Sequence, residues 1–95
     1  MHNTIFDPNT SDAVRSILSD EELLKFTFNI QFAKSVIEQR KKLNWTQEEL
    51  AEKSGVNRVT IAKIEKFQRQ AGIDVVLKLL NALNLDIKFV PNDNP

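Results

Sequence analysis

The chain has 95 residues, enough for one small domain, and is 41% hydrophobic and 27% charged, which places it with folded chains rather than disordered ones. It carries 13 basic and 13 acidic side chains, no cysteine, one histidine (His2) and two glycines. That composition excludes disulfide frameworks, thiolate zinc sites and a Gly-rich phosphate loop, and with its one histidine beside the start Met it argues strongly against a Ser/His/Asp triad. No metal or cofactor is expected, and no enzymatic activity. The apolar runs are too short for a membrane span or a signal segment, and with the lack of cysteine this suits a cytoplasmic protein.

The zero net charge hides an uneven distribution. Residues 1–30 hold two basic and five acidic side chains, residues 31–70 nine and five, and residues 71–95 two and three. A cationic middle therefore lies between acidic ends. Two readings fit it, chance clustering on a solvated surface or a face for an anionic partner.

Residues 1–10 are polar, contain Pro8 and read as a frayed terminus. Two helix starts follow. Ser11 precedes a segment with Val14, Ile17 and Leu18 at helical spacing. Ser19 precedes Asp20-Glu21-Glu22, and its spacing to Glu22 is that of a capping box. From Leu23 to Leu43 the period is helical, with Leu23, Phe26, Ile30, Ala33, Val36, Ile37 and Leu43 on the predicted inner side. Phe26, Phe28, Ile30 and Phe32 also alternate as in a strand. The helical flanks favour helix, with a break near Thr27–Asn29 left open.

Thr46 and Glu49 form a second capping box, opening QEELAEK. Ser54-Gly55-Val56 reads as a tight turn. Asn57 is the expected cap of RVTIAKIEKF, with Ile61, Ile64 and Phe67 facing inward. Residues 68–72 make a loop. Asp74 is the expected cap of VVLKLLNAL, whose inner stripe is Val75 or Val76, Leu79, Leu80 and Leu83, with Asn84 as its stop. Residues Leu85 to Val90 alternate apolar and polar up to Pro91 and predict one short strand.

The central unit has a specific spacing. Counting from Gln47, Ala51 is fifth, Gly55 ninth, Val56 tenth, Ile61 fifteenth and Ile64 eighteenth. A small residue at the helix crossing, a glycine at the bend and three apolar anchors predict a helix-turn-helix. Its second helix would present an outer face to a DNA major groove. That face holds Arg58, Val59, Ala62 and Lys63. Arg58 has the fork that bonds guanine O6 and N7 together, Val59 suits a thymine methyl, and Thr60 and Lys63 suit bases or phosphates. Lys63 is equally well read as a solvated lysine, and Asn57 as cap, base contact or both. Lys41, Lys42, Lys53, Lys66, Gln68 and Arg69 flank the unit as phosphate candidates. Trp45 reads as packing on the domain edge, base stacking being the alternative.

Residues Arg40 to Asn84 resemble the lambda-repressor-like, Xre-type helix-turn-helix domain, through WTQEELAEKSGVNRVTIAKIE and DVVLKLLNALN. The resemblance implies a phosphate contact for Gln47 and base-reading positions from Asn57 to Lys63. It also implies a structural ion pair between Arg40 and Glu65, which makes Glu65 structural rather than catalytic. The family usually has Gly two residues after that Glu and Pro before the next helix; Phe67 and Ala71 stand there.

With its acidic arm and terminal strand, the chain resembles a HigA-type antitoxin over roughly residues 14–91. A HipB-type antitoxin shares the central domain and strand but matches the arm less well. The HigA resemblance implies double-stranded operator DNA, a HigB-type, RelE-like ribonuclease toxin and a second copy of the chain as partners.

The expected architecture is thus all-α: a lambda-repressor-like helix-turn-helix bundle with an N-terminal helical arm and one C-terminal strand pairing across a dimer. Its parts are an acidic arm (1–27), the Xre-type domain (28–84), and a dimerisation strand and tail (85–95). Leu85, Ile87 and Phe89 are the dimerisation candidates, because an isolated strand leaves its backbone groups unpaired. Val14, Ile17, Leu18, Asp20, Glu21 and Leu24 are the toxin-docking candidates, unless the arm only packs on its own domain. A stand-alone Xre-type regulator without a toxin is the competing reading, and a pure protein-interaction module a further one.

Overall fold

A computed structural model describes residues 17–92. Val14 and the helix predicted after Ser11 lie largely outside these residues, and Ile17 is the first described. The described chain forms four helices: α1 (Asp20–Lys42), α2 (Gln47–Ser54), α3 (Arg58–Glu65) and α4 (Ile73–Leu83). Residues 17–28 with 88–92 belong to one compact unit and Asn29–Ile87 to another, the division falling within α1.

The predicted capping boxes form. The Ser19 hydroxyl accepts the Glu22 N–H at 3.1 Å, and the Glu22 carboxylate accepts the Ser19 N–H at 2.9 Å. The Ser19 backbone N–H, then its hydroxyl, then the charge of Lys25 hold the Glu22 carboxyl below its ordinary range. Stability from that box is complete above the ordinary carboxylate pKa and is lost as pH falls through the lowered one. At α2, Thr46 Oγ1 accepts from the Glu49 N–H at 3.0 Å and Glu49 Oε1 from the Thr46 N–H at 2.8 Å. Both ends of α1 also complement its dipole, with Asp20, Glu21 and Glu22 first and Arg40, Lys41 and Lys42 last.

α1 runs through Thr27–Asn29 without a break. It contains no Gly or Pro to interrupt it, and the alternating aromatics have no partner strand. Its seam is phased differently from the prediction. Leu23, Thr27, Phe32, Ala33 and Val36 are buried, while Phe26 and Leu43 are exposed. Thr27 is an unexpected core residue, and its hydroxyl has no hydrogen-bond partner.

Within Asn29–Ile87 one core gathers Phe32, Ala33 and Val36 of α1, Leu50 of α2, Val56 of the turn after it, Ile61 and Ile64 of α3, and Val76, Leu79 and Leu83 of α4. α2 packs against both α3 and α4. The Gln39 amide donates to the Leu83 carbonyl at 3.0 Å, tying α1 to the end of α4.

Each helix stops at a left-handed residue: Asn44 (φ 60°), Gly55 (φ 77°), Phe67 (φ 60°) and Asn84 (φ 58°). Three of these stops carry the paired bonds of a Schellman motif. Trp45 and Asn44 donate to Arg40 and Lys41 (both 3.0 Å), Gln68 and Phe67 to Lys63 and Ile64 (2.8 and 3.0 Å), and Leu85 and Asn84 to Leu80 and Asn81 (2.9 and 3.2 Å). Asn and Gly reach this conformation readily. For Phe it costs about 1–2 kcal/mol.

Three expectations are corrected. Phe67 does not face inward, because α3 ends at Glu65 and the chain turns away; the side chain is 56% exposed. Asp74 does not cap α4, because the helix begins at Ile73, two residues earlier than predicted, with Gly72 at its N-cap, so Asp74 lies in the first turn. Residues 85–90 form no strand, and none exists among the described residues. A strand needs a neighbour's backbone groups, and the described residues provide none. Of its apolar residues only Leu85 is half-buried against the core, while Ile87, Phe89 and Val90 are exposed.

A buried ion pair fixes the end of α3. Arg40 Nε and Nη2 donate to Glu65 Oε2 and Oε1, each at 2.8 Å, and Arg40 Nη1 donates to the Trp45 carbonyl at 2.9 Å. These carboxylate bonds hold the Arg40 guanidinium above its already high ordinary range. Glu65→Ala leaves this arginine charged and unpaired. It is expected to cost about 3–5 kcal/mol, with removal of both partners costing less than the sum of the single changes. Urea unfolding of the single and double variants measures this.

Candidate nucleic-acid interface

The α2–α3 turn is built by torsion and local hydrogen bonds. Gly55 donates to the Ala51 carbonyl at 2.9 Å and turns left-handed. A Cβ placed on it would meet nothing within 4 Å, so the demand for glycine comes from φ and not from crowding. The Ser54 hydroxyl accepts the Val56 N–H at 3.1 Å. Asn57 Oδ1 then accepts the Val59 N–H at 2.7 Å, so Asn57 caps α3 as expected.

With Ile61 and Ile64 buried beneath it, α3 turns Arg58, Val59 and Lys63 outward, all exposed. Thr60 and Ala62 are half-buried at its margins. Beyond the helix, Lys66, Phe67, Gln68 and Arg69 are all exposed. Glu65, the acid of α3, is turned away into its bond with Arg40. The outer surface from Arg58 to Arg69 therefore carries Arg58, Lys63, Lys66 and Arg69, with no ion pair to any of them among the described residues. This gathers a positive face from a chain of zero net charge.

Gln47 begins α2, as the resemblance implies. Its amide donates to Glu65 Oε1 at 3.0 Å, so the first residue of α2 is tied to the last residue of α3. Trp45 is half-buried against the core, with the Lys53 ammonium 4.9 Å from its ring centroid. That arrangement suits edge packing and engages Lys53 as a cation over the ring.

The toxin-docking candidates within the described residues lie at and just before the start of α1. Ile17, Asp20, Glu21 and Leu24 are exposed, and Leu18 is half-buried. Sequence reasoning passed over Ile73 and Leu77, which lie four residues apart on α4 and are both exposed. Their spacing opposite the buried stripe was the available signal. Among the described residues no group of His, Cys, Asp and Glu could hold a metal ion, and no helix is long and apolar enough to cross a membrane.

A helix-turn-helix family model matches residues 36–90. An uncharacterized HTH-type transcriptional regulator of Haemophilus influenzae is 31% identical over 83 residues, which span 87% of this chain and 85% of that protein. A solved structure described as a toxin–antitoxin module from Streptococcus pneumoniae superposes with a TM-score of 0.67 at 30% identity, covering 94% of this chain and 98% of that one. The chain belongs to the helix-turn-helix family of DNA-binding transcriptional regulators.

Proposed function

We propose that this regulator is an antitoxin that neutralises a HigB-type, RelE-like ribonuclease toxin and represses its own operon as a dimer. The observation that carries the DNA-reading part is the outward face of α3. Arg58 and Val59 are exposed on it, with Asn57 and Lys63 also exposed and Thr60 half-buried, which supports the reading of base edges by this face. Lys66, Gln68 and Arg69 are the phosphate contacts. Gln47 fixes the approach of α2 to α3 through Glu65 and lies at the helix start that would meet the backbone.

The likeness to a toxin–antitoxin module along nearly the whole chain supports the antitoxin reading. So does the arm of residues 1–27, whose described part exposes Ile17, Leu24 and three successive acids. An acidic surface with apolar residues suits a ribonuclease, whose own RNA-binding surface is cationic. The second reading, a regulator with no toxin, is favoured by the Haemophilus influenzae relative. Co-expression with the product of the adjacent gene separates the two. A stable complex that silences a ribonuclease is expected, and an adjacent gene without such a product leaves the second reading.

Residues 85–95 are the dimer element in this proposal. Ile87 and Phe89 are exposed in the single chain, and the alternating pattern suits pairing with the same segment across a twofold axis. Two copies would then place their α3 helices on half-sites about 34 Å apart. Deleting residues 85–95 is expected to give monomers by size-exclusion chromatography, and a dimer that survives the deletion contradicts the assignment. Arg58→Ala is expected to cost about 1–3 kcal/mol of operator affinity and to relax preference at one base pair. Fluorescence anisotropy on point-substituted operators measures both.

A further inference from the structure

We infer that Phe67 is a DNA-contacting residue, whose ring packs on a deoxyribose of the duplex backbone between phosphates held by its cationic neighbours. The inference rests on the DNA-binding role of α3. The described helices otherwise stop at Asn44, Gly55 and Asn84, residues that enter the left-handed region readily. Phe67 is the one bulky side chain placed there, and such residues persist in strained conformations only where other contacts fix them.

The bonds that fix it are on the page: Gln68 to Lys63 and Phe67 to Ile64. What the described residues do not supply is a place for the ring. The residue is 56% exposed and absent from the hydrophobic core. The strain is therefore not offset by burial within the described fold.

The surroundings indicate what covers the ring. Lys66 precedes it, Gln68 and Arg69 follow it, and Lys63 lies one turn back, all exposed. A partner for this segment has anionic groups with an apolar surface between them. The sugar–phosphate backbone has that alternation, each deoxyribose being flanked by phosphates. The site lies beyond the C-terminal end of α3, so the contact would fix the docking angle of the helix without reading a base.

The test uses the full chain, a labelled duplex carrying the promoter upstream of its own gene, and a random-sequence duplex of the same length. Phe67→Asn and Phe67→Gly both enter the left-handed region easily. Each should raise the melting temperature by roughly 3–8 °C. Each should also weaken binding about five- to tenfold on both duplexes, the loss expected for half of a buried aromatic side chain. The log–log salt slope should not change, because an apolar contact releases no counterion. Phe67→Tyr should retain wild-type affinity.

Asn and Gly variants that bind within about twofold of wild type overturn the inference while leaving the DNA-binding role intact. A slope reduced by about 0.9 overturns it in favour of a displaced phosphate contact. Unchanged DNA affinity with a lost dimer or a lost toxin complex overturns it in favour of a protein contact. Failure of the wild-type chain to retain either duplex sinks the underlying role instead.

Discussion

The guanidinium of Arg40 reaches from the last turn of α1 to the carboxylate of Glu65 at the last residue of α3, while its third nitrogen holds the Trp45 carbonyl just before α2. Three helices are referred to one side chain. The orientation of α3, and hence which residues face outward, depends on that junction. The apolar anchors Ile61 and Ile64 fix which side of α3 is buried, but apolar contact is not directional. The bidentate pair supplies the direction, since both oxygens of Glu65 are engaged at defined angles. Gln47 completes the arrangement by donating to the same carboxylate.

The pair also shapes the electrostatics. An acid at the end of α3 would partly cancel Lys63 and Lys66 if it faced solvent. Turned inward and paired, it leaves the outer surface to the basic side chains. A chain with no net charge thus acquires a positive face by folding, through the placement of a single carboxylate. Long-range attraction to DNA remains modest for such a molecule, so binding relies on contacts made at close range.

Much of this was legible in the residues. The capping boxes were readable because a hydroxyl and a carboxylate three positions apart can bond only one local set of amides. The helix-turn-helix spacing was readable because Gly55 and its apolar partners each answer a separate steric demand. The Arg40–Glu65 pair came through family resemblance and not through periodicity, since residues so far apart in sequence reveal no mutual distance. Phe67 was placed inward by extending the helical period beyond the residue where α3 stops. Asp74 is of a type common at caps, but Gly72 holds that position and the helix begins at Ile73. The burial of Thr27 had no signal at all, as a threonine in a long helix ordinarily faces water. The terminal segment failed as a strand for a different reason. Its alternation calls for a neighbouring strand, and the described residues offer none.

Gly55 has open space where a side chain would go, and its restriction is one of torsion alone. Asn44 and Asn84 adopt nearly the same backbone angles in the same molecule. The bend that sets α3 apart from α2 therefore has room for a side chain but strains any residue other than glycine by its torsion, asparagine least. Sequence drift at this hinge has asparagine as its open path, with the reading head keeping its shape along the way.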